Sequence, residues 1–290
     1  MSGIPETDLI LNGDGSVYHL NLLPEDVAGT VITVGDPDRV QEVSKYFDRV
    51  ELRKSKREFV AHTGCIGQKR LTVISTGIGT DNIDIVLNEL DALVNIDLEN
   101  RTRKPVLTSL DIIRIGTSGA IQADIALDSI LVSEMAIGLD TLMHYYKQEN
   151  NTEEKLLLAA FKAVLPASHP FSPYIASGSA DLIGQLAKDV PKGITISSPG
   201  FYAPQGRQLR LQLQTPGLIN AVQTFRSGES RITNLEMETA GIYGLASLLG
   251  HRAISFNVIL ANRITGKFSK QPQKAIEQAI ELVLGNLIDS

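Results

Sequence analysis

Two glutamates one residue apart, Glu236 and Glu238, flank Met237 in Asn234-Leu235-Glu236-Met237-Glu238-Thr239-Ala240-Gly241, where a helical pattern begins. Residues two apart do not face the same way on a regular helix. At a strand-to-helix junction, however, they can line the floor of a pocket around Met237. A carboxylate there suits two neighbouring hydroxyls, because its two acceptor oxygens match the separation of a cis-diol. A thioether beside it offers a soft apolar surface to a sugar ring. The same residues would equally serve as a solvated first helical turn, where the helix dipole favours Glu.

Three further stretches suit an anion. Gly35-Asp36-Pro37-Asp38-Arg39 pairs a glycine, whose bare backbone can approach a phosphate, with an arginine at a helix start. Arg114-Ile115-Gly116-Thr117-Ser118-Gly119 offers another arginine, small backbone donors and two hydroxyls, and Ser55-Lys56-Arg57-Glu58 a third arginine just before a strand. Arg114 interrupts the apolar run Ile112-Ile113-Arg114-Ile115, where a charge is costly without a partner. A bound dianion is one such partner, and a carboxylate such as Asp111 or Asp36 is another. Neither GxGxxG nor GxxxxGK[ST] occurs, so no dinucleotide or Walker-type phosphate site is expected. Phe201-Tyr202-Ala203-Pro204-Gln205-Gly206-Arg207 places an aromatic, an amide and a guanidinium on a Pro/Gly-shaped loop. Such a set can stack on a planar base and read its edge, with Gln offering donor and acceptor and Arg only donors. A surface loop with incidental polar residues has the same make-up.

These stretches sit on a chain of 290 residues, 43% hydrophobic and 21% charged, an ordinary globular composition. A net charge of −6 without a long basic run argues against a nucleic-acid surface. Apolar runs are strand-sized, so no membrane span is expected, and Met1 to Asp14 lack the regions of a signal peptide. The lone Cys65 excludes an intrachain disulfide and fits a reducing cytoplasm. Five scattered histidines give no metal-ligand spacing.

Periodicity predicts strands over 30–34, 59–66, 70–75, 111–115, 130–132, 174–176, 194–196 and 253–260. It predicts helices over 37–46, through Ile83, Val86, Leu87, Leu90 and Leu93, over 153–164 behind an Asn151/Glu154 capping box, over 180–188 and 218–225, after Glu238 to Gly250, and over 275–287. Gly116 to Gly119 reads as the loop ending a strand, 138–150 as irregular, and the alternation Leu209, Leu211, Leu213 as a half-exposed strand. The repeated order of strand, glycine loop and helix is that of an α/β protein with a largely parallel sheet and ligands at strand ends. Residues 1–16 read as a flexible N-terminal arm and 17–290 as one domain.

Jointly, these motifs resemble the nucleoside phosphorylase family, and within it the uridine phosphorylases. The likeness lies in Tyr18-His19-Leu20, Gly35-Asp36-Pro37-Asp38-Arg39-Val40, Arg57-Glu58-Phe59, Ser75-Thr76-Gly77-Ile78-Gly79 and Arg114 through Gln122. It continues in Phe201-Tyr202 with Gln205 and Arg207, Glu236-Met237-Glu238, and Asn262-Arg263. The resemblance implies a three-layer αβα fold around a central mixed, largely parallel sheet. It implies phosphorolysis of uridine to uracil and α-D-ribose 1-phosphate in nucleoside salvage, with inorganic phosphate as co-substrate and no cofactor.

By position, the resemblance assigns Gly35, Arg39, Arg114 and Thr117 to phosphate, with Arg57 reaching in from a neighbouring subunit. Thr117, Met237 and Glu238 would meet the ribose, with Glu236 in the same floor and His19 supplied by the neighbour. Phe201, Gln205 and Arg207 would hold the base, with Ser118, Gly119 and Arg263 beside them. Arg114, Gln205, Arg207 and Glu238 carry the expected catalysis. A homo-oligomer, dimer or trimer of dimers, with shared sites is implied, as is K+ between subunits near Glu58 and the carbonyl of Ile78.

The chain departs from the pattern at Thr80-Asp81-Asn82, where the family commonly has Gly/Ile-Pro-Ser, in 138–146, and at Leu235, where a tyrosine is common. Purine-specific members place an aspartate after the strand corresponding to Val258-Ile259-Leu260. Ala261-Asn262-Arg263-Ile264-Thr265 has no acid, which favours a pyrimidine. A purine nucleoside phosphorylase and a nucleoside-binding paralogue without activity are the alternatives.

Overall fold

β1 (Thr30–Val34) opens the first layer and leads into α1 (Pro37–Ser44), whose N-cap Asp36 accepts a hydrogen bond from the Asp38 amide. The structure, a computed structural model, describes residues 3–289. Next come the antiparallel strands β2 (Arg49–Lys56), β3 (Phe59–Ile66) and β4 (Lys69–Ser75), then α2 (Thr80–Asn95). A short ribbon of β5 (Ile96–Asp97) and β6 (Thr102–Arg103) leads to β7 (Asp111–Ala120) and β8 (Ile130–Gly138). α3 (Thr152–Val164), β9 (Tyr174–Ser177), α4 (Ala180–Leu186) and β10 (Lys192–Ser197) follow. The chain continues through α5 (Leu218–Thr224), β11 (Arg226–Ser227), β12 (Ser230–Glu236) and α6 (Thr239–Leu249). It closes with β13 (Arg252–Asn262), β14 (Lys267–Phe268) and α7 (Pro272–Asp289).

The main sheet runs β11-β12-β10-β8-β13-β7-β1-β4-β3-β2. β4, β1, β7 and β13 are mutually parallel neighbours, as are β8, β10 and β12. β12 also pairs with β7, Asn234 opposite Ala120 and Leu235 opposite Gly119. β7, β13, β8, β10 and β12 therefore close on themselves as a barrel, which removes edges an open sheet would leave. Helices cover both faces. Along β1, Val31 packs with α2 and α6 residues such as Ile83, Leu87 and Ile242. Ile32 and Val34 pack with Val40, Ile280 and Leu284 of α1 and α7. That alternation is the signature of a strand buried on both sides. The fold is thus α/β, with a mixed sheet between helical layers.

Several expectations from periodicity are corrected. Residues 3–16 do not form a free arm: the Ile4 amide donates to the Arg101 carbonyl at 2.7 Å, and Arg101 Nη1 to the Leu9 carbonyl at 2.6 Å. Leu9 is buried in the α2 layer, an apolar anchor that composition alone hides; Met1 and Ser2 lie outside the described residues. Gly116 to Gly119 is not a loop, because β13 pairs along β7 from Asp111 to Ala120 and keeps it extended. β8 continues to Gly138, six residues beyond its expected end at Val132. The 209–213 stretch forms no strand, and Leu209 and Leu211 are 76% and 74% exposed. Alternation without a partner strand does not make a strand. β2 went unpredicted because no residue in it is fully buried, so it lacks a hydrophobic signal.

Candidate active site

The segments that end or follow β1, β4, β7, β10, β12 and β13 converge on one cavity of about 630 Å³. On its floor Arg114, 6% exposed, lies across Gly116. A Cβ on Gly116 would stand 1.8 Å from Arg114 Nη1, so only glycine permits this approach. Arg114 Nη2 is 2.6 Å from Glu238 Oε2 and 3.0 Å from Glu236 Oε2. Its Nη1 donates to Asn257 Oδ1 at 3.2 Å and Ser255 Oγ at 3.4 Å. The carboxylates that accompany this charge are therefore Glu236 and Glu238, while Asp111 is held by Arg252 at 2.6 Å. Burial works against the Arg114 cation, but the two glutamates outweigh it and raise its pKa above the ordinary value.

The two glutamates differ in what remains free. Glu236 Oε1 accepts from Ser197 Oγ at 2.5 Å, and Oε2 from the Glu238 amide at 3.0 Å and the Thr239 amide and hydroxyl, each at 2.9 Å. Its carboxylate is thus spent on the orphan amides that start α6, and not the ribose contact expected of it but a clamp on the junction is what its geometry offers. Glu238 Oε1 accepts the Gly79 amide at 2.8 Å, and Oε2 is paired with Arg114. Each oxygen has two lone pairs, so Glu238 retains acceptor capacity toward the cavity that it lines with Met237. Burial pushes the Glu238 pKa up, Arg114 opposes the rise and Glu236 adds to it.

Arg39 lines the same cavity with Gly35 and Thr117. Its buried Nε has no hydrogen-bond partner, and burial lowers its pKa. Asp36 and Glu42 act on its charge but form no ion pair with it among the described residues, so a bound anion would gain at this guanidinium beside the ion-paired Arg114.

At the other end, the Arg207 guanidinium stacks 3.7 Å from the Phe201 ring centroid. It donates to the Phe201 carbonyl and to Gln205 Oε1, both at 2.6 Å. Arg263 lies just outside the cavity lining, donates to the Gln205 carbonyl at 2.8 Å and approaches Gly119. Burial first, then repulsion from Arg263, lowers the Arg207 pKa to about 10. With Gln205 Oε1 engaged, the Gln205 amide nitrogen and the remaining Arg207 nitrogens give this end a donor-rich edge. Ser118 Oγ accepts from Asn234 Nδ2 at 3.0 Å.

His19, Arg57 and Glu58 do not line the cavity. His19 Nδ1 is 2.6 Å from Glu89 Oε1, and its ring packs edge-on to Phe59. Lys56 Nζ donates to the Tyr18 carbonyl and sits 4.3 Å over the Tyr18 ring. Arg57 is exposed at the β2–β3 turn with φ 56°. These residues make a separate surface. Glu58 packs beside Gly77, whose loop carries the exposed Ile78. No cluster of three or more His, Cys, Asp or Glu suited to a metal occurs among the described residues.

Sequence reasoning missed the supporting residues Gly79, Ser197, Ser255 and Asn257. From Arg114, Asn257 Nδ2 continues to Ser133 Oγ at 3.0 Å, Ser133 to Thr195 at 2.6 Å, Thr195 to Asn234 at 3.0 Å, and Asn234 to Ser118. The available signal was Ser255 and Asn257 alternating with Ile254, Phe256 and Val258 in an otherwise apolar strand.

The sequence profile of the Phosphorylase superfamily matches residues 30–287. A uridine phosphorylase of Thermococcus kodakarensis is 30% identical over 267 residues, covering 90% of this chain and 83% of that protein. A uridine phosphorylase of Haemophilus influenzae is 27% identical over 278 residues, covering 92% and 96%. Among solved structures, a Trypanosoma brucei nucleoside phosphorylase described as showing uridine phosphorylase activity superposes with a TM-score of 0.89 at 27% identity, covering 98% of this chain and all of that one.

Proposed function

The chain belongs to the phosphorylase superfamily, and we propose that it cleaves uridine with inorganic phosphate to give uracil and α-D-ribose 1-phosphate. One observation carries the reading: a single cavity holds at one end Arg39, whose buried Nε has no hydrogen-bond partner, the Gln205–Arg207 pair at the other, and Glu238 between them. Phosphate rests on Arg39, Arg114, Thr117 and the Gly35 backbone, with Arg57 added by a second copy of the chain. Holding the nucleophile under C1′ removes much of the entropic barrier. Glu238 accepts from the ribose hydroxyls, and Met237 lies against the sugar.

In the reaction a phosphate oxygen forms the bond to C1′ while the C1′–N1 bond breaks. Its electron pair leaves with uracil, which takes up a proton from water after departure. Negative charge spreads to the ring carbonyls, where Gln205 and Arg207 stand as preorganised donors. A purine leaving group calls for a proton at N7, yet the acids lining the cavity are Asp36, Glu236 and Glu238, at the phosphate and sugar end. Asn262, after β13's apolar run, turns its amide to the Gln122 and Ile125 carbonyls instead. The purine reading is the weaker one for that reason.

His19 and Arg57 would complete the site across an interface in a homo-oligomer, and K+ would be held there by Glu58 and the Ile78 carbonyl of adjoining copies as a structural ion. We place the enzyme in the cytoplasm. The deciding experiment measures base release from uridine and inosine, with and without phosphate. Uridine cleavage that needs phosphate is expected. Equal release in phosphate-free buffer would make the enzyme a hydrolase, and faster cleavage of inosine would favour the purine reading.

A further inference from the structure

Asn257, Ser133, Thr195 and Asn234 are buried outside the cavity lining, and together they join Arg114 to Ser118. The direction of this chain is fixed at its Arg114 end. A guanidinium has no acceptor, so Asn257 must turn Oδ1 to Arg114 Nη1, at 3.2 Å, and its amide nitrogen to Ser133 Oγ, at 3.0 Å. Ser133 thus receives a hydrogen at its oxygen and passes its own to Thr195 Oγ1, at 2.6 Å. Thr195 donates to Asn234 Oδ1 at 3.0 Å, and the Asn234 nitrogen donates to Ser118 Oγ at 3.0 Å. Running the chain the other way would leave a buried hydroxyl hydrogen at Ser133 or Thr195 with no acceptor among the described residues, which is costly. The Thr233 hydroxyl also reaches Asn234 Oδ1, at 2.8 Å, but has the Ile194 carbonyl as a second acceptor at 3.1 Å. It does not set the direction by itself.

The consequence falls on Ser118, which lines the cavity. Its oxygen already accepts from Asn234, and its hydroxyl hydrogen meets no acceptor among the described residues. The neighbouring Gly119 stands where a Cβ would lie 3.6 Å from Arg263 Cγ, and Arg263 is bonded to the Gln205 carbonyl at 2.8 Å. Ser118 therefore belongs to the end of the cavity that holds Gln205 and Arg207.

We propose that Arg114, through Asn257, Ser133, Thr195 and Asn234, fixes Ser118 as a hydrogen-bond donor to a ring carbonyl of the departing base. Thr195 and Asn234 are then positioning residues that act through the Ser118 hydroxyl. This inference rests on the proposed phosphorolysis of uridine. Charge grows on the carbonyls as the C1′–N1 bond breaks, so a fixed donor there raises kcat more than it lowers KM. A serine that only filled space, or that accepted the ring N3–H, would be indifferent to how well the carbonyl accepts.

The experiment compares kcat/KM for uridine, 2-thiouridine and 4-thiouridine, at saturating phosphate, in the unaltered enzyme, Ser118→Ala, Thr195→Val and the double variant. Sulfur is a weak acceptor, and the two analogues cover both ring carbonyls. Ser118→Ala should lower kcat/KM for uridine about tenfold, mostly in kcat, the scale of one hydrogen bond to a group gaining charge. For one of the two thio analogues the loss should be less than about threefold on the same scale, and the KM for phosphate should not move. Thr195→Val keeps the side-chain shape and removes only the hydroxyl. It should lower the uridine value about threefold, and lower it no further where Ser118→Ala is already present. Should Thr195→Val fail to fold, Ser133→Ala breaks the chain one link earlier. Equal losses on all three substrates in Ser118→Ala overturn the donor role. A Thr195→Val effect that is absent, or the same with and without the Ser118 hydroxyl, overturns the control by the chain; both results leave the reaction standing. Failure of the unaltered enzyme to cleave uridine with phosphate overturns the reaction, and this inference with it.

Discussion

Replacing Arg39 and Arg114 by Met should move stability and phosphate binding in opposite proportions. Arg114 is ion-paired to two carboxylates that are themselves buried, at 2.6 and 3.0 Å. Removing it leaves Glu236 and Glu238 facing each other with no cation, a loss on the order of 3–5 kcal/mol for breaking a buried pair. In a chain of this size that corresponds to a fall in Tm on the order of 10 °C. Arg39 has an unpartnered Nε and appears in none of the ion pairs among the described residues, so its removal orphans nothing. Stability should stay within about 0.5 kcal/mol, the range for a side chain that leaves no partner behind. Phosphate should instead lose one charge-assisted bond of about 1.5–3 kcal/mol, weakening Kd by roughly tenfold to about 150-fold. Phosphate at about one hundred times Kd stabilises the unaltered protein by about 2.7 kcal/mol. A hundredfold weaker Kd would cut that to about 0.4 kcal/mol. The assay is a pair of melting curves for each variant, with and without phosphate, beside initial rates against phosphate. If Arg39→Met melts as low as Arg114→Met, or keeps its full phosphate shift, Arg39 is not the free anion-binding cation argued for above.

Three other outcomes are expected. Burial raises the Glu238 pKa, so on the acid side kcat/KM for uridine should fall with an apparent pKa above the ordinary value of about 4.3, as protonation removes the acceptor; a pH–rate profile flat through that region contradicts it. Mixing Arg57→Ala with Glu238→Ala chains and allowing exchange should restore activity, because one site of each mixed dimer is intact; no recovery after verified exchange means each chain is self-sufficient. Cytidine should be cleaved at least about tenfold more slowly than uridine, since its amino group faces Arg207, which can only donate, and Arg207→Ala should narrow the uridine-to-cytidine ratio.

Much of the site was legible because its residues break local rules. Arg114 stands in an apolar strand, Glu236 and Glu238 flank a methionine at a junction, and Gln205 with Arg207 sits on a Pro/Gly-shaped loop. Each is a local conflict that folding must resolve, and such conflicts concentrate at sites. The partner of Arg114 was not legible. Asp111 and Asp36 are nearer in sequence, whereas Glu238 is 124 residues away and reaches Arg114 because β12 pairs back onto β7. The same closure explains the misread of Gly116 to Gly119: pairing along β7 keeps the stretch extended, and Gly116 is there because the Arg114 side chain lies across it. The clamp role of Glu236 was likewise hidden, since only the three-dimensional junction shows which amides its oxygens meet. The fold class itself was carried by strand–loop–helix alternation, whereas β2, with no fully buried residue, gave no hydrophobic signal to read.

The reaction makes two demands that conflict if met by one charge. A dianion needs cations that are not already neutralised, while a sugar gaining positive charge needs a carboxylate close by. On the proposed reaction, the two tasks fall to Arg39 and Arg114. Arg39 Nε has no hydrogen-bond partner, so on the proposed reaction the phosphate would be its compensation. Arg114 is neutralised by Glu236 and Glu238, and therefore adds direction more than net charge at the phosphate end. Its second role is to hold Glu238 ionised against burial. The polar chain from Asn257 through Ser133, Thr195 and Asn234 to Ser118 fixes that arrangement inside a closed barrel, where all its members but the cavity-lining Ser118 are almost fully buried. Asn257 meets Arg114 with its oxygen and Ser133 with its nitrogen, so an amide that accepts and donates at once suits this link as an aliphatic side chain could not. An apolar barrel interior would be simpler to fold, but it would leave the Arg114 guanidinium hydrogen-bonded on one side only and free to turn away from the ribose carboxylate it must hold.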